Sequence, residues 1–141
     1  MNKAIFLLSI LVSSLVFADL VKLSDEGIKL NIDDTEWSCV LDEDSSLIWE
    51  VKNDEEGIQY KMSTYTWFDG KTGEESGKYS RNCFWGKGCN TMAYVDAINK
   101  QHLCSFDDWR LPSRNELEAL VNYYGESDIL VDLRFFPNTQ S

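Results

Sequence analysis

Asp108-Trp109-Arg110-Leu111-Pro112-Ser113-Arg114-Asn115-Glu116-Leu117 carries the densest set of local structural instructions in the chain. Pro112 disfavours the helical region for Leu111, so Trp109 to Leu111 are expected to end a strand. Ser113 is a good N-cap. Glu116 stands three residues later, where its carboxylate reaches back to the Ser113 backbone N–H in a capping box. Leu117, Leu120, Val121 and Tyr124 then recur at i, i+3, i+4 and i+7, one apolar helix face, and Gly125 supplies a stop. Arg110 is expected to fork onto backbone carbonyls or a nearby acid. Trp109, Arg110, Pro112, Ser113 and Glu116 thus read as architecture, and the run contains no catalytic group in a usable arrangement.

Upstream, Asp19 to Glu36 is polar, with one short strand expected around Ile28-Lys29-Leu30. Trp37 to Val40 is a candidate strand, followed by the acidic turn Asp42-Glu43-Asp44-Ser45-Ser46. Leu47, Trp49 and Val51 alternate with Ile48, Glu50 and Lys52, the period of a strand with one buried face, which puts Glu50 on the solvated side. Asp54-Glu55-Glu56-Gly57 breaks that strand. Tyr65-Thr66-Trp67-Phe68 is rich in strand formers and runs into the turn signal Asp69-Gly70. Lys71 to Gly88 reads as a long loop, the kind that is functional or mobile in a compact domain. Asn90 or Thr91 caps a second helix whose apolar side is Tyr94, Val95, Ile98 and Met92, with Asp96, Asn99 and Lys100 facing water and an end near Gln101 or His102. Repeats and low-complexity tracts are absent, so Asp19–Ser141 is expected to form one domain.

Met1 to Ala18 has a positive residue, Lys3, an apolar run from Ala4 to Phe17 and a small-residue ending at Ala18, the pattern of a secretory signal peptide. The expected location is therefore periplasmic or extracellular, with no integral membrane segment after cleavage. The formal charge is −11 over 141 residues, and removing Lys3 with the leader makes it one unit more negative. Such a field repels polyphosphate backbones and anionic lipid heads, so nucleic acid and anionic membranes are excluded as expected partners.

Cys39, Cys83, Cys89 and Cys104 are even in number in a chain bound for an oxidising compartment, which predicts two disulfides. If residues 91 to 101 are helical, that helix spans about 16 Å at ~1.5 Å per residue. Cys89 and Cys104 flank its opposite ends, whereas a disulfide needs Cα atoms within about 7 Å. Of the two remaining schemes, Cys83–Cys89 with Cys39–Cys104 is favoured, because Phe84-Trp85-Gly86-Lys87-Gly88 can close a small ring. No C-x-x-C pair occurs and a single histidine is available, so no zinc site is expected.

Taken with Thr35-Glu36-Trp37-Ser38-Cys39-Val40, Leu47-Ile48-Trp49-Glu50-Val51-Lys52, Tyr65-Thr66-Trp67-Phe68 and Phe136-Pro137-Asn138-Thr139-Gln140-Ser141, the Asp108 run carries a resemblance. In motif order and spacing the chain resembles the Lcl C-terminal domain family from about Trp37 to Ser141. That family is named for the adhesive domain of a bacterial collagen-like surface protein. The resemblance implies an α+β, C-type-lectin-like fold with two helices packed on a small antiparallel sheet, and it implies no assigned catalytic activity. Family members continue through further strands, so the resemblance also implies an incomplete domain here, with Leu130, Val131, Leu133, Phe135 and Phe136 short of cover. A lone Arg-Leu-Pro-Ser followed by a helix occurs as well in formylglycine-generating enzymes, which makes an enzyme with reactive cysteines the alternative class.

The candidate chemistry is weak by comparison. His102, two residues from Cys104, invites a Cys/His dyad, but an oxidised Cys104 and the lack of an orienting third group make it a helix-end histidine. Counting from Asp42, the glycine and glutamate that a calcium loop needs are Leu47 and Asn53, so an EF-hand is excluded. Calcium stays open only through the lectin-like scaffold. Trp37, Trp49, Trp67 and Trp109 sit in strand-like context and are expected in the core. Trp85 differs, lying in a Gly-bounded ring with Phe84, flanked by Arg81 and Lys87 and close to Tyr79. Tyr79, Arg81, Phe84, Trp85 and Lys87 are therefore the candidate ligand contacts of a non-catalytic, cofactor-free binding or adhesion module for a carbohydrate or a cell-surface protein. Sulphated glycosaminoglycans, associated with the collagen-like adhesin, suit an acidic surface poorly. A truncated, non-functional fragment is the other reading.

Overall fold

The computed structural model describes residues 19–83, 88–121 and 128–139. The expected leader, the candidate contacts Phe84, Trp85 and Lys87, and the helix positions Tyr124 and Gly125 lie outside the described residues. The architecture is α+β: three short antiparallel strands and two helices. The strands are β1 (Leu20–Leu23), β2 (Cys39–Asp42) and β3 (Leu47–Glu50), in the order β1-β2-β3. The helices are α1 (Thr91–Gln101) and α2 (Arg114–Ala119).

Register explains how the sheet carries cover on both faces. Leu23 pairs with Cys39, Cys39 with Glu50, and Leu41 with Ile48. Alternation therefore puts these side chains on one face. That face packs against Ile98, Ala97 and Tyr94 of α1, together with Leu103 and Cys104. Leu20, Val40, Trp49 and Val51 point the other way, onto Phe135, Phe136, Trp37 and Val131. The expectation of a solvated face on the third strand is thus corrected: α1 covers one side and the 131–136 segment covers the other. The period-2 pattern was real, but both of its phases are covered, and Leu47 to Glu50 are all half-buried.

Several element boundaries also differ from expectation. β1 lies before the Ile28-Leu30 segment, which contributes only a bridge from Lys29 to Leu23. β2 begins two residues later than Trp37, whose indole N–H instead donates to the Phe135 carbonyl at 2.9 Å. Tyr65 to Phe68 is not a strand. It makes isolated bridges, Thr64 to Arg81, Thr66 to Asn90 and Phe68 to Gly73, because each neighbour is itself irregular loop. Trp109 to Leu111 belongs to no sheet.

α1 starts at Asn90, whose side-chain oxygen accepts from the Ala93 N–H at 2.8 Å, and it ends at His102 in the left-handed conformation. α2 is only 6 residues long and buries none of them. Leu117 is 50 % exposed, so among the described positions of the expected apolar face only Leu120, which packs against Val40, Val51, Phe135 and Phe136, and the half-buried Val121 are covered. Both predicted disulfides are formed, Cys39–Cys104 across 65 residues and Cys83–Cys89 across 6.

Candidate functional site

The Lys71–Gly88 loop is built on Thr66, which is buried in a chain segment otherwise poor in regular structure. The Thr66 N–H donates to the Cys89 carbonyl at 3.0 Å, and its own carbonyl accepts from Thr91 at 2.9 Å. Its hydroxyl oxygen accepts the Tyr79 N–H at 3.0 Å. Thr66 thereby ties the loop to the start of α1, with its backbone bonded to Cys89 and Thr91 and its hydroxyl to Tyr79. Asn90 adds a second tie, because the amide group that caps α1 also donates to the Glu75 carbonyl at 2.7 Å.

On this frame Tyr79 is 69 % exposed and Trp67 is 56 % exposed, whereas the sequence reading put Trp67 in the core. Irregular pairing on both sides of residues 64–68 leaves no second layer to cover the Trp67 ring. Arg81 is exposed and pairs through its backbone with Thr64, and Lys78 lies 4.7 Å from the Tyr79 ring centroid. The structure thus brings Tyr79, Arg81 and Trp67 onto adjoining segments. Trp67 was missed because its flanking residues are strand formers, and only the irregularity of its neighbours reveals its exposure.

A second cluster lies between β3 and α1. Tyr94 donates to Glu50 Oε1, Lys52 Nζ donates to the same oxygen at 3.0 Å, and Lys52 also reaches the Tyr94 hydroxyl. The Glu50 side chain is only 16 % exposed, so its expected position on an open face is corrected. Burial first, and then the Glu50 charge, push the Tyr94 hydroxyl far above the ordinary tyrosine range. Tyr94 therefore stays neutral and acts as a donor, fastening α1 to the sheet.

The Asp108 run lies beside this cluster. Arg110 makes a bidentate pair with Glu116, at 2.6 and 2.9 Å, and also donates to the Leu111 carbonyl at 3.2 Å. The Arg110 guanidinium, followed by hydrogen bonds from Ser113, holds the Glu116 carboxyl down at about 2. Both halves of the capping box are present. Trp109 donates from its ring to the Leu103 carbonyl at 3.1 Å. Asn99, expected to face water, accepts the Trp109 N–H at 2.7 Å and donates to the Trp109 carbonyl at 3.0 Å. Between β3, α1 and this run opens a groove of about 610 Å³.

His102 is exposed and Cys104 is oxidised, so no thiol faces the imidazole. The acidic turn is organised by Asp42, which is buried and accepts from the Asp44 N–H at 3.0 Å and the Ser45 hydroxyl at 2.6 Å. Among the described residues no group of three or more His, Cys, Asp or Glu side chains is placed to hold a metal ion. No helix among them is long and apolar enough to cross a membrane.

Sheet, helices and two disulfides together define a small disulfide-stabilised α+β domain. The Lcl C-terminal domain matches residues 38–141, and the chain belongs to that family. No curated protein and no solved structure matches the chain significantly.

Proposed function

We propose that the chain is a secreted, non-catalytic binding module whose ligand contact is the exposed face of the 64–91 region. The observation that carries this reading is the exposure of two large aromatic side chains, Trp67 and Tyr79, on adjoining segments just ahead of the ring closed by Cys83–Cys89. Aromatic faces stack on the apolar faces of sugar rings and also serve as anchors in protein interfaces. Arg81 and Lys78 supply local donors on an otherwise acidic surface. The ligand class is accordingly a neutral carbohydrate or a cell-surface protein, on a C-type-lectin-like scaffold. The two disulfides fit an oxidising, extracytoplasmic location. They also engage all four cysteines, which weighs against the alternative of a formylglycine-generating-like enzyme that uses a reactive thiol.

The test is a glycan and surface-protein binding screen with the native chain and with Trp67→Ala, Tyr79→Ala and Trp85→Ala. Truncating an aromatic anchor is expected to cost about 1–3 kcal/mol of binding, a loss of roughly ten- to hundredfold in affinity. Three variants that bind every screened ligand like the native chain would sink the assignment to this face.

A further inference from the structure

The two edges of the sheet are not equivalent. Backbone hydrogen bonds link Glu43 to Asp19 and Val51 to Ser38, so odd-numbered residues of β2 bond to β1 and even-numbered ones to β3. On β3 this turns Leu47, Trp49 and Val51 inward and leaves the N–H and C=O groups of Ile48 and Glu50 pointing away from the sheet. The outer edge of β1 is covered by the Ile28–Leu30 segment, where the Leu30 N–H donates to the Lys22 carbonyl at 2.9 Å. The edge of β3 has no such cover among the described residues.

That edge forms one wall of the groove. Leu47, Ile48, Trp49 and Glu50 all line it in succession, although alternate residues point to opposite faces of the sheet. A cavity on one face would touch every second residue, so the groove follows the strand edge itself. Phe106 and Trp109 supply apolar wall, and the charged lining is Glu50, Asp108, Glu116 and Arg110; Glu50 is paired with Lys52, so its charge is offset. Arg110 and Glu116 offset one another, which leaves the carboxylate of Asp108 as the unpaired charge of the groove among the described residues. Asp108 is exposed and forms no ion pair among the described residues.

We propose that the β3 edge is a docking site for an extended, basic segment of a partner protein, which adds to the sheet as a further strand beside Ile48 and Glu50. Main-chain bonds to Ile48 and Glu50 supply the affinity, as they do wherever a peptide extends a sheet. Side chains two positions apart on the added strand share a face. One of them lies beside Ile48 and is apolar; the other lies beside Glu50 and carries a Lys or Arg. The charge of the groove and the −11 of the whole chain disfavour a second copy as occupant, because pairing two such edges brings like charges together. This surface is separate from the aromatic face of the 64–91 region and does not depend on what that face binds.

The probe is a fluorescein-labelled hexapeptide, Val-Thr-Lys-Thr-Val-Thr, which sets valine and lysine two positions apart on one face of a strand, titrated by anisotropy into the full disulfide-bonded chain. Three comparison peptides accompany it: one with glutamate for lysine, and two with a single N-methylated amide on one or the other edge of the strand. Saturable binding is expected, weakened about tenfold or more by glutamate, by one of the two N-methylations and by 0.5 M salt. Asp108→Asn, whose side chain makes no hydrogen bond among the described residues, is expected to weaken it severalfold. Absence of binding, equal binding of the glutamate peptide, or indifference to both N-methylations overturns the proposal. So does sedimentation showing a dimer that the lysine peptide leaves intact.

Discussion

Lys22 is a charged residue in the position of a core residue. It lies on the face of β1 shared with Leu20 and Val40 and is buried; its ammonium donates to the carbonyls of Ile32 at 2.8 Å and Asp34 at 2.7 Å and lies 3.6 Å from the Trp37 ring centroid. These contacts fold the 31–37 segment back over the sheet. Lys22→Ala is expected to lower stability by about 2–3 kcal/mol in urea unfolding, since it strands two carbonyls and removes the cation from the ring. Glu116 illustrates a different kind of legibility. Its capping box and its tie to Arg110 could be read from the sequence because every partner lies within six residues; the partners of Lys22 lie ten or more residues away and are set by tertiary structure. Since the folded carboxyl of Glu116 lies at about 2 rather than 4.5, its contribution is complete above pH 4.5 and fades as pH falls toward 2. A carbon-13 titration of the Glu116 carboxyl should show that low midpoint, and Arg110→Ala should move it up toward the ordinary value. A midpoint that ignores Arg110→Ala would refute the fork.

At the scale of elements, α1 is held by polar ties as much as by Ile98. Tyr94 fastens it to β3, Asn90 to the loop, and Asn99 to the backbone of Trp109. Asn99 acts like a short strand partner, accepting from and donating to one residue, and that is why Trp109 needs no sheet around it. Asn99→Ala is expected to cost about 1–3 kcal/mol by leaving both main-chain groups of Trp109 unpaired. Amide exchange at Trp109 should accelerate accordingly; Asn99→Asp keeps the acceptor and should protect that amide better than alanine does. Gly77 tests the loop frame in a similar way. Its φ is +71°, and an added Cβ would lie 2.4 Å from the Cys89 nitrogen, so Gly77→Ala strains the loop twice over and should expose Cys83–Cys89 to faster reduction by dithiothreitol. The start of α1 was legible from its cap and apolar spacing. α2 was legible only at its start, because nothing within the strong Ser113-Glu116 signal limits helix length, and Leu117 found no partner surface. The Tyr65–Phe68 segment misled for the converse reason: strand-forming residues make a strand only where a regular neighbour accepts their hydrogen bonds.

For the whole molecule, cohesion comes from long-range closure more than from any single layer. Cys39 on β2 and Cys104 beyond α1 are both almost completely buried in the core between the sheet and α1, and their bond joins the sheet to the segment that leads into Trp109. On the opposite face, Trp37 holds the Phe135 carbonyl and Asn138 donates to the Lys52 carbonyl at 2.8 Å, so the resembling motifs at the two ends of the matched region meet around one sheet. Motif order could identify that family, but not the meeting of those motifs, which follows from contacts nearly a hundred residues apart. The two disulfides should therefore have unequal weight. Cys39–Cys104 closes a loop of 65 residues and Cys83–Cys89 one of 6, which by chain entropy corresponds to about 4 and about 2 kcal/mol. Paired replacement of Cys39 and Cys104 by alanine should lower the urea midpoint far more than replacement of Cys83 and Cys89. It should also broaden the unfolding transition, because α1 and the sheet would no longer be obliged to separate together. Replacement of Cys83 and Cys89 should leave that cooperativity intact and act on the loop, weakening the ligand contact proposed for Trp67 and Tyr79 more than it weakens the fold. Equal losses from the two pairs would mean that the core between the sheet and α1 holds them together without its covalent link.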